Sequence, residues 1–431
     1  MVIHVVQPGE TINSIADNYG VTVNKLIQDN DLVNADNLAV GQAILIVYPK
    51  ELHIVQEGDT LLSIAENYNI TVIQLLRNNP FLVDREVIYP GESIVISYTD
   101  DKKASITVNG YAYPYINRSV LEKNLLYLTY LSIFSYSVTA DGNLNDIDDI
   151  EIIHLAKAYG VAPIMIVSNV SEEGNVNREE LHNLLLNQEL QNDLVENILT
   201  VLRTKGYYGV NFDIPYISAE DQQLYLDIIS TSTERFHNEG FKVFITITPN
   251  SFETEAEGSY EIANLAMLGQ ITDGVIILSY SWGYASEIPV EALPFYILIA
   301  LLEYILTQIP ADKIFIGITS IGYIWQIPYI EGVSRANSIS NVNAVQLASD
   351  SGAEIYYNSN NHSSYFYILN ERNYLVYFHD VRGVDASLNA VTEYDLQGVG
   401  IWNIMYYQAQ TFLLINSQYE IAAVQWEGYM Q

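Results

Sequence analysis

From residue 106 onward, short apolar runs of strand length alternate with longer stretches whose apolar positions recur every three to four residues. The strand-like runs cover residues 106–113, 127–137, 162–168, 208–214, 241–248, 274–280, 313–319 and 397–404. Helical spacing dominates between them, as in "REELHNLLLNQELQNDLVENILTVLRTKG" and "AEDQQLYLDIISTSTERFHNEG". Eight such β-then-α units predict a (β/α)8 TIM barrel of the α/β class, spanning residues 106–431. The spacing widens between strands seven and eight, where about residues 325–385 predict a small inserted antiparallel α+β element. Chemistry in such barrels sits at the C-terminal strand ends. Strand side chains alternate faces, so in "GVNFDIP" the side chains of Asn211 and Asp213 share one face with position 215, which holds Pro215.

The first hundred residues follow another pattern, an internal repeat. "HVVQPGETINSIADNYGVTVNKLIQDN" from His4 returns as "HIVQEGDTLLSIAENYNITVIQLLRNN" from His53. Each copy predicts a short strand (3–6; 52–55), a helix opened by Thr11 or Thr60, a second helix and a closing strand (43–47; 93–97). This βααβ plan, with "GET" or "GDT" early and "VGQ" or "PGE" late, resembles the LysM module. Residues 1–49 and 50–98 are the two copies, and the polar stretch 99–105 is the linker to the barrel.

The LysM resemblance implies binding of N-acetylglucosamine glycans such as peptidoglycan or chitin. The matching groove lies between Gly9, Glu10, Thr11 and Ile12 and the loop of Asn34, Asn37 and Leu38. In the second copy it lies between Gly58, Asp59, Thr60 and Leu61 and the segment of Pro80, Phe81 and Ile88. Taken singly, these glycines also serve a turn and the threonines a helix cap.

Composition narrows the partners. The chain carries 18 Lys and Arg against 52 Asp and Glu, a formal net charge of −34, which disfavours nucleic acid and anionic membranes. It has no cysteine, so disulfides and thiolate chemistry are excluded. No segment matches a membrane span or a secretory signal, and synthesis in the cytoplasm without export is expected. The seven histidines show no metal-ligand spacing and no cofactor motif emerges, so neither metal nor cofactor is expected.

The strand ends "GYYGVNFDI", "LSYSWGY", "IFIGITSIGY" and "GVGIWNI", in that order behind a LysM pair, resemble the spore-associated family 18 glycoside hydrolases, cortex-lytic N-acetylglucosaminidases among them. That family carries D-x-x-D-x-D-x-E on its fourth strand, and the matching positions here are Tyr208, Asn211, Asp213 and Pro215. The resemblance implies substrate-assisted hydrolysis, with the 2-acetamido oxygen attacking the anomeric carbon. Asp213 would steady the acetamido group, Tyr280 would stand near it, and Trp402 would be the floor beneath a sugar ring. The general acid would be the glutamate, but Pro215 has no titratable group, and Ser281 stands where an acid often follows the family's tyrosine.

Glu220 and Asp221 open the helix after the fourth strand, where they favour its N-terminus, and Glu172, Glu173, Glu255, Glu257 and Glu287 fall on rim loops; none has motif support as a substitute acid. Three functions stay open: a spore-associated glycan-binding protein with an inactive barrel, a self-assembling coat or surface-layer component with protein partners, and a glycosidase using a displaced acid. The expectation adopted is the first, spore-localised.

Overall fold

The computed structural model describes residues 1–85, 87–99, 101–170, 176–214, 217–218, 220–247, 265–278, 295–330, 333–369 and 372–424. The first LysM copy is β1 (Val2–Val5), α1 (Ile12–Tyr19), α2 (Val23–Asn30) and β2 (Ala43–Ile46). The second is β3 (Pro49–Ile54), α3 (Leu61–Asn67), α4 (Val72–Asn78) and β4 (Ser93–Tyr98). In each copy the two strands pair antiparallel. Threonine caps all four helices: Thr11, Thr22, Thr60 and Thr71 each accept from the backbone N–H three residues on.

A repeated asparagine clips the second helix to the closing strand. Asn30 Nδ2 donates to the Leu26 and Leu45 carbonyls, and its Oδ1 accepts from the Leu45 N–H at 2.7 Å. Asn79 does the same with Leu75 and Val95, all three bonds at 2.8 Å. Asn79→Ala would orphan three buried backbone groups and is expected to cost about 3 kcal/mol. A lowered urea midpoint with faster hydrogen exchange at the Val95 amide checks this.

The barrel strands are β5 (Ala104–Ala112), β6 (Tyr130–Ser137), β7 (Ala162–Ser168), β8 (Gly209–Asp213), β9 (Lys242–Ile247), β10 (Gly274–Ile277), β11 (Ile314–Thr319) and β17 (Gly398–Trp402). All neighbours pair parallel, and β17 closes the barrel on β5. The helices are α5 (Arg118–Leu125), α6 (Ile150–Ala158), α7 (Arg178–Leu186), α8 (Gln188–Lys205), α9 (Gln222–Asn238), α10 (Leu265–Ile271), α11 (Phe295–Leu306), α13 (Val381–Glu393) and α14 (Ala409–Gln418). A last strand, β18 (Tyr419–Ile421), pairs parallel with the start of β5. The long helical stretch before β8 is two helices, because Asn187 ends α7 and its side chain caps α8.

The insertion between strands seven and eight is β12 (Ile321–Ile327), β13 (Asn337–Ser340), α12 (Asn341–Ser351), β14 (Tyr356–Asn358), β15 (Ser363–Ile368) and β16 (Asn373–Phe378). Its five strands form one antiparallel sheet in the order β13-β12-β16-β15-β14. One face of the sheet packs Phe366, Val376 and Phe378 against Ala344 and Ala348 of α12.

The LysM copies pack against the barrel. Leu45, Val47, Val95 and Tyr98 share one buried cluster with barrel residues, and α14 is buried along nearly its whole length. Its outer face meets the modules through side-chain amides. Gln410 Nε2 donates to Asn30 Oδ1 at 2.8 Å and to the Ala43 carbonyl at 2.9 Å. Asn416 Nδ2 donates to Asn78 Oδ1 at 2.8 Å.

The first copy also docks on the insertion and on α13. Ile355 N donates to the Val40 carbonyl at 2.8 Å, and Arg382 Nη2 to that of Gly41 at 3.2 Å. Gly41 has φ +84°, and a Cβ there would fall 1.9 Å from the Ile355 carbonyl oxygen. Gly41→Ala is therefore expected to pry the first copy off the insertion at a cost of about 1–3 kcal/mol. Faster hydrogen exchange at the Ile355 amide would report it.

Candidate functional site

The barrel interior is aromatic and aliphatic, with Tyr111, Phe134, Ile164, Ile166, Phe244, Ile276, Leu278, Phe315 and Trp402 in one cluster. Polar groups enter it from the fourth and fifth strands. Asn211, wholly buried, donates through Nδ2 to Thr246 Oγ1 at 3.0 Å and to the Tyr111 hydroxyl at 3.4 Å. Asp213, two residues on, is also buried, at 2 % exposure. Asp213 ends its strand at the barrel mouth.

Burial pushes the Asp213 carboxyl up to about 7, because a carboxylate loses its hydration there. Tyr113 and Tyr225 lie within its electrostatic reach. Burial raises both phenols first, and the Asp213 charge adds to the rise.

Trp402 ends β17 at 6 % exposure, and its ring packs on Phe134 at 5.0 Å, Tyr111 at 5.5 Å and Tyr113 at 6.2 Å between centroids. Tyr113 stacks in turn on Tyr115, at 5.3 Å, and Tyr115 is 76 % exposed. A run of aromatic rings thus climbs from the barrel floor to solvent beside Asp213, offering apolar faces of the kind sugar rings stack on. Sequence reasoning singled out Trp402 and missed Tyr111, Tyr113, Tyr115 and Phe134. The spacing of "YAYPY" across the end of the first strand was the available signal.

Pro215, Tyr280 and Ser281 lie outside the described residues, as do Glu172, Glu173, Glu255, Glu257 and Glu287. Of the other rim acids, Glu220 is exposed, and Asp221 is buried and engaged. Asp221 accepts from Ser218 Oγ at 2.6 Å, and its other oxygen lies 2.6 Å from His182 Nδ1. That hydrogen bond, with the Asp221 charge behind it, raises the His182 pKa. Ligand atoms of His182, Glu220 and Asp221 lie within 4.8 Å of one another. The Asp221 contacts serve to tie α7 to the start of α9.

In the LysM turns, Gly9 and Gly58 take φ +85° and +93°. Glu10 Oε2 accepts from the Gln7 N–H and lies 2.8 Å from His4 Nε2, and Asp59 repeats this with Gln56 and His53. Both carboxylates are held below their usual range, first by the backbone N–H. Thr11 and Thr60 form reciprocal capping boxes with Ser14 and Ser63. Ile12 is buried in the module core, against which Leu38 packs, while Leu61, Phe81 and Ile88 pack against that of the second. Pro80 opens a short helical turn. Asn34 is exposed, whereas Asn37 Nδ2 donates to the Ser349 carbonyl of the insertion at 3.1 Å.

Residues 132–406 match the family model described as glycosyl hydrolases family 18, and residues 4–47 and 53–97 match the LysM domain. The cortical fragment-lytic enzyme of Bacillus subtilis (strain 168) is 33 % identical over 98 % of this chain and 99 % of its own. That of Bacillus anthracis is 30 % identical, over 93 % and 94 %. Among solved structures, the spore cortex-lytic enzyme SleL of Bacillus megaterium QM B1551 superposes with a TM-score of 0.80 at 25 % identity, covering 98 % of this chain and 99 % of its own. Among the described residues no helix is long and apolar enough to cross a membrane.

Proposed function

This chain belongs to the glycosyl hydrolases of family 18, with LysM domains ahead of the barrel, and from that membership we propose a spore-associated protein that binds N-acetylglucosamine glycan, peptidoglycan foremost, through a barrel that does not cleave it. Similarity to cortical fragment-lytic enzymes along nearly the whole chain supports the spore setting and the peptidoglycan partner. The aromatic run from Trp402 to Tyr115 supports a barrel mouth that still holds a sugar.

The observation that carries the reading is the order of residues at the end of β8. Asp213 is kept and buried at the mouth, and two positions later, where the family pattern has its proton donor, the sequence has Pro215. A sugar alkoxide leaves poorly without a proton, and proline has none to give.

The test is co-sedimentation with insoluble spore peptidoglycan and with chitin, run beside an assay for released reducing ends. Binding without release is the expected result. Turnover that disappears in Asp213→Asn would show that a displaced acid serves the barrel, and the reading would then be wrong.

A further inference from the structure

Where the first LysM copy, the insertion and the start of α14 meet, a crevice encloses about 80 Å³. Its walls are the loop between α2 and β2, one face of α12, the β16–α13 turn and the first turn of α14. At about 30 Å³ for a water, the space holds roughly two or three waters or one small organic group, and is too small for a sugar ring. None of Gly9, Glu10, Thr11 and Ile12 lines it. It is therefore separate from the groove expected between that turn and the loop, and Asn37, which lines it, is bonded to Ser349 of the insertion.

Protein contacts alone hold the walls in place. Ile355 N donates to the Val40 carbonyl, and Gln410 Nε2 to Asn30 Oδ1 and the Ala43 carbonyl. Two carboxamides line the space so fixed. Gln42 is 5 % exposed, and its Oε1 accepts from the Ala39 N–H at 3.1 Å. Gln408 is 8 % exposed, and its Oε1 accepts from Thr411 Oγ1 at 3.2 Å. These bonds set which way each amide points, and each Nε2 is left to donate without an acceptor among the described residues. Buried donors are normally paired, so two such amides in one crevice ask for an acceptor from outside the chain.

The rest of the lining selects the kind of acceptor. Among the described residues no Lys or Arg lines the crevice, whereas Asp31 and Asp380 do, which disfavours an anion. Asp380 is engaged by Arg382 and Ser364, and amide N–H groups turned into the space disfavour a cation. Val345, Ile355 and Phe378 supply an apolar side. A neutral carbonyl oxygen with a methyl group beside it matches both halves, the oxygen at the glutamine amides and the methyl at the apolar wall.

We propose that this crevice takes the acetamido group of an N-acetylated amino sugar. The pocket stands on the geometry, and the choice of a sugar as bearer of the group rests on the glycan-binding reading above. The acetamido group projects from the ring of N-acetylglucosamine wherever that sugar stands in a polymer, so no free chain end is needed. Seated here, it registers a strand between the first module and the barrel, and the site discriminates against a deacetylated glycan.

Amide NMR spectra of the full chain, titrated with diacetylchitobiose and with the glucosamine dimer that lacks the acetyl groups, test it. The side-chain amide signals of Gln42 and Gln408, assigned through bonds to their own backbones, are the readout. The acetylated dimer is expected to shift both signals and the glucosamine dimer neither. In Gln42→Glu, which keeps an acceptor for the Ala39 N–H and removes the donor, the Gln408 signal is expected to need about threefold to tenfold more dimer to move. The wild-type shifts decide the matter even if that variant does not fold. Silent glutamine signals while the acetylated dimer binds elsewhere on the chain would mean that the crevice holds water only and would overturn the proposal, as would equal shifts with the glucosamine dimer. No binding of the acetylated dimer anywhere would overturn the glycan-binding reading itself, and the crevice with it.

Discussion

Pro215→Glu is expected to raise the release of reducing ends from peptidoglycan fragments or chitooligosaccharides by about 10²- to 10⁴-fold over the wild type, the range that general acid–base assistance contributes. The parts that such a glutamate would work with are in place. Asp213 is buried at the end of β8, Asn211 is tied to Thr246 and Tyr111, and the Trp402 ring packs on Tyr111 and Phe134. Substrate-assisted hydrolysis asks for one carboxyl at the acetamido group and one at the leaving oxygen, and on the proposed reading Asp213 is the first while Pro215 stands at the place of the second. The gain should appear in kcat more than in KM, because the proton is needed in the transition state and not for binding. Glycan binding retained with no gain in turnover would mean that the cleft has lost more than its proton donor.

The second large effect concerns Asp213. Its folded carboxyl keeps a proton up to about pH 7, whereas an unfolded aspartic acid releases it near 3.9. Between those values the folded state binds more protons, so the free energy of unfolding falls as the pH rises, and the full penalty is present above pH 7. At 1.36 kcal/mol for each pH unit it amounts to about 4 kcal/mol. A neutral carboxamide in place of the carboxyl would carry no such penalty. Asp213→Asn is therefore expected to stabilise the chain by up to about 4 kcal/mol at pH 8 and to change little near pH 4, as read from urea midpoints at the two values. A difference between variant and wild type that does not grow with pH would sink the argument.

The parts of the molecule that were legible in the sequence are those where polar positions recur at a regular interval among apolar ones. "GVNFDI" alternates because Asn211 and Asp213 point into the barrel, and the LysM copies repeat because Asn30 and Asn79 clip the same two elements. The insertion was expected as an antiparallel α+β element, but the places of β13 and α12 within it were not legible. Their residues are small and polar, and α12 buries only Asn341, Ala344, Ala348 and Ser349.

The packing of the modules on the barrel left no signal either. Gln410, Asn416 and Asn78 look like solvent-facing residues, and only the fold brings them together. The aromatic side of the site was half read, since Trp402 ends a strand whereas Tyr113 and Tyr115 follow one.

The amides along α14 bear on how this chain can be divided. A helix on the rim of a (β/α)8 barrel ordinarily shows one flank to water, but α14 is roofed by α2 and α4, with Leu45 and Val95 in the same apolar cluster as the helices below. Cutting the chain at residue 105 would bare that flank and leave Gln410 and Asn416 without their partners. The polar stretch between the second module and β5 is thus no tether, and a barrel expressed alone should unfold more readily than the same barrel under its roof. On the proposed reading, glycan held by either module is held at a fixed orientation to the barrel mouth, so a strand gripped at both ends has only certain registers open to it.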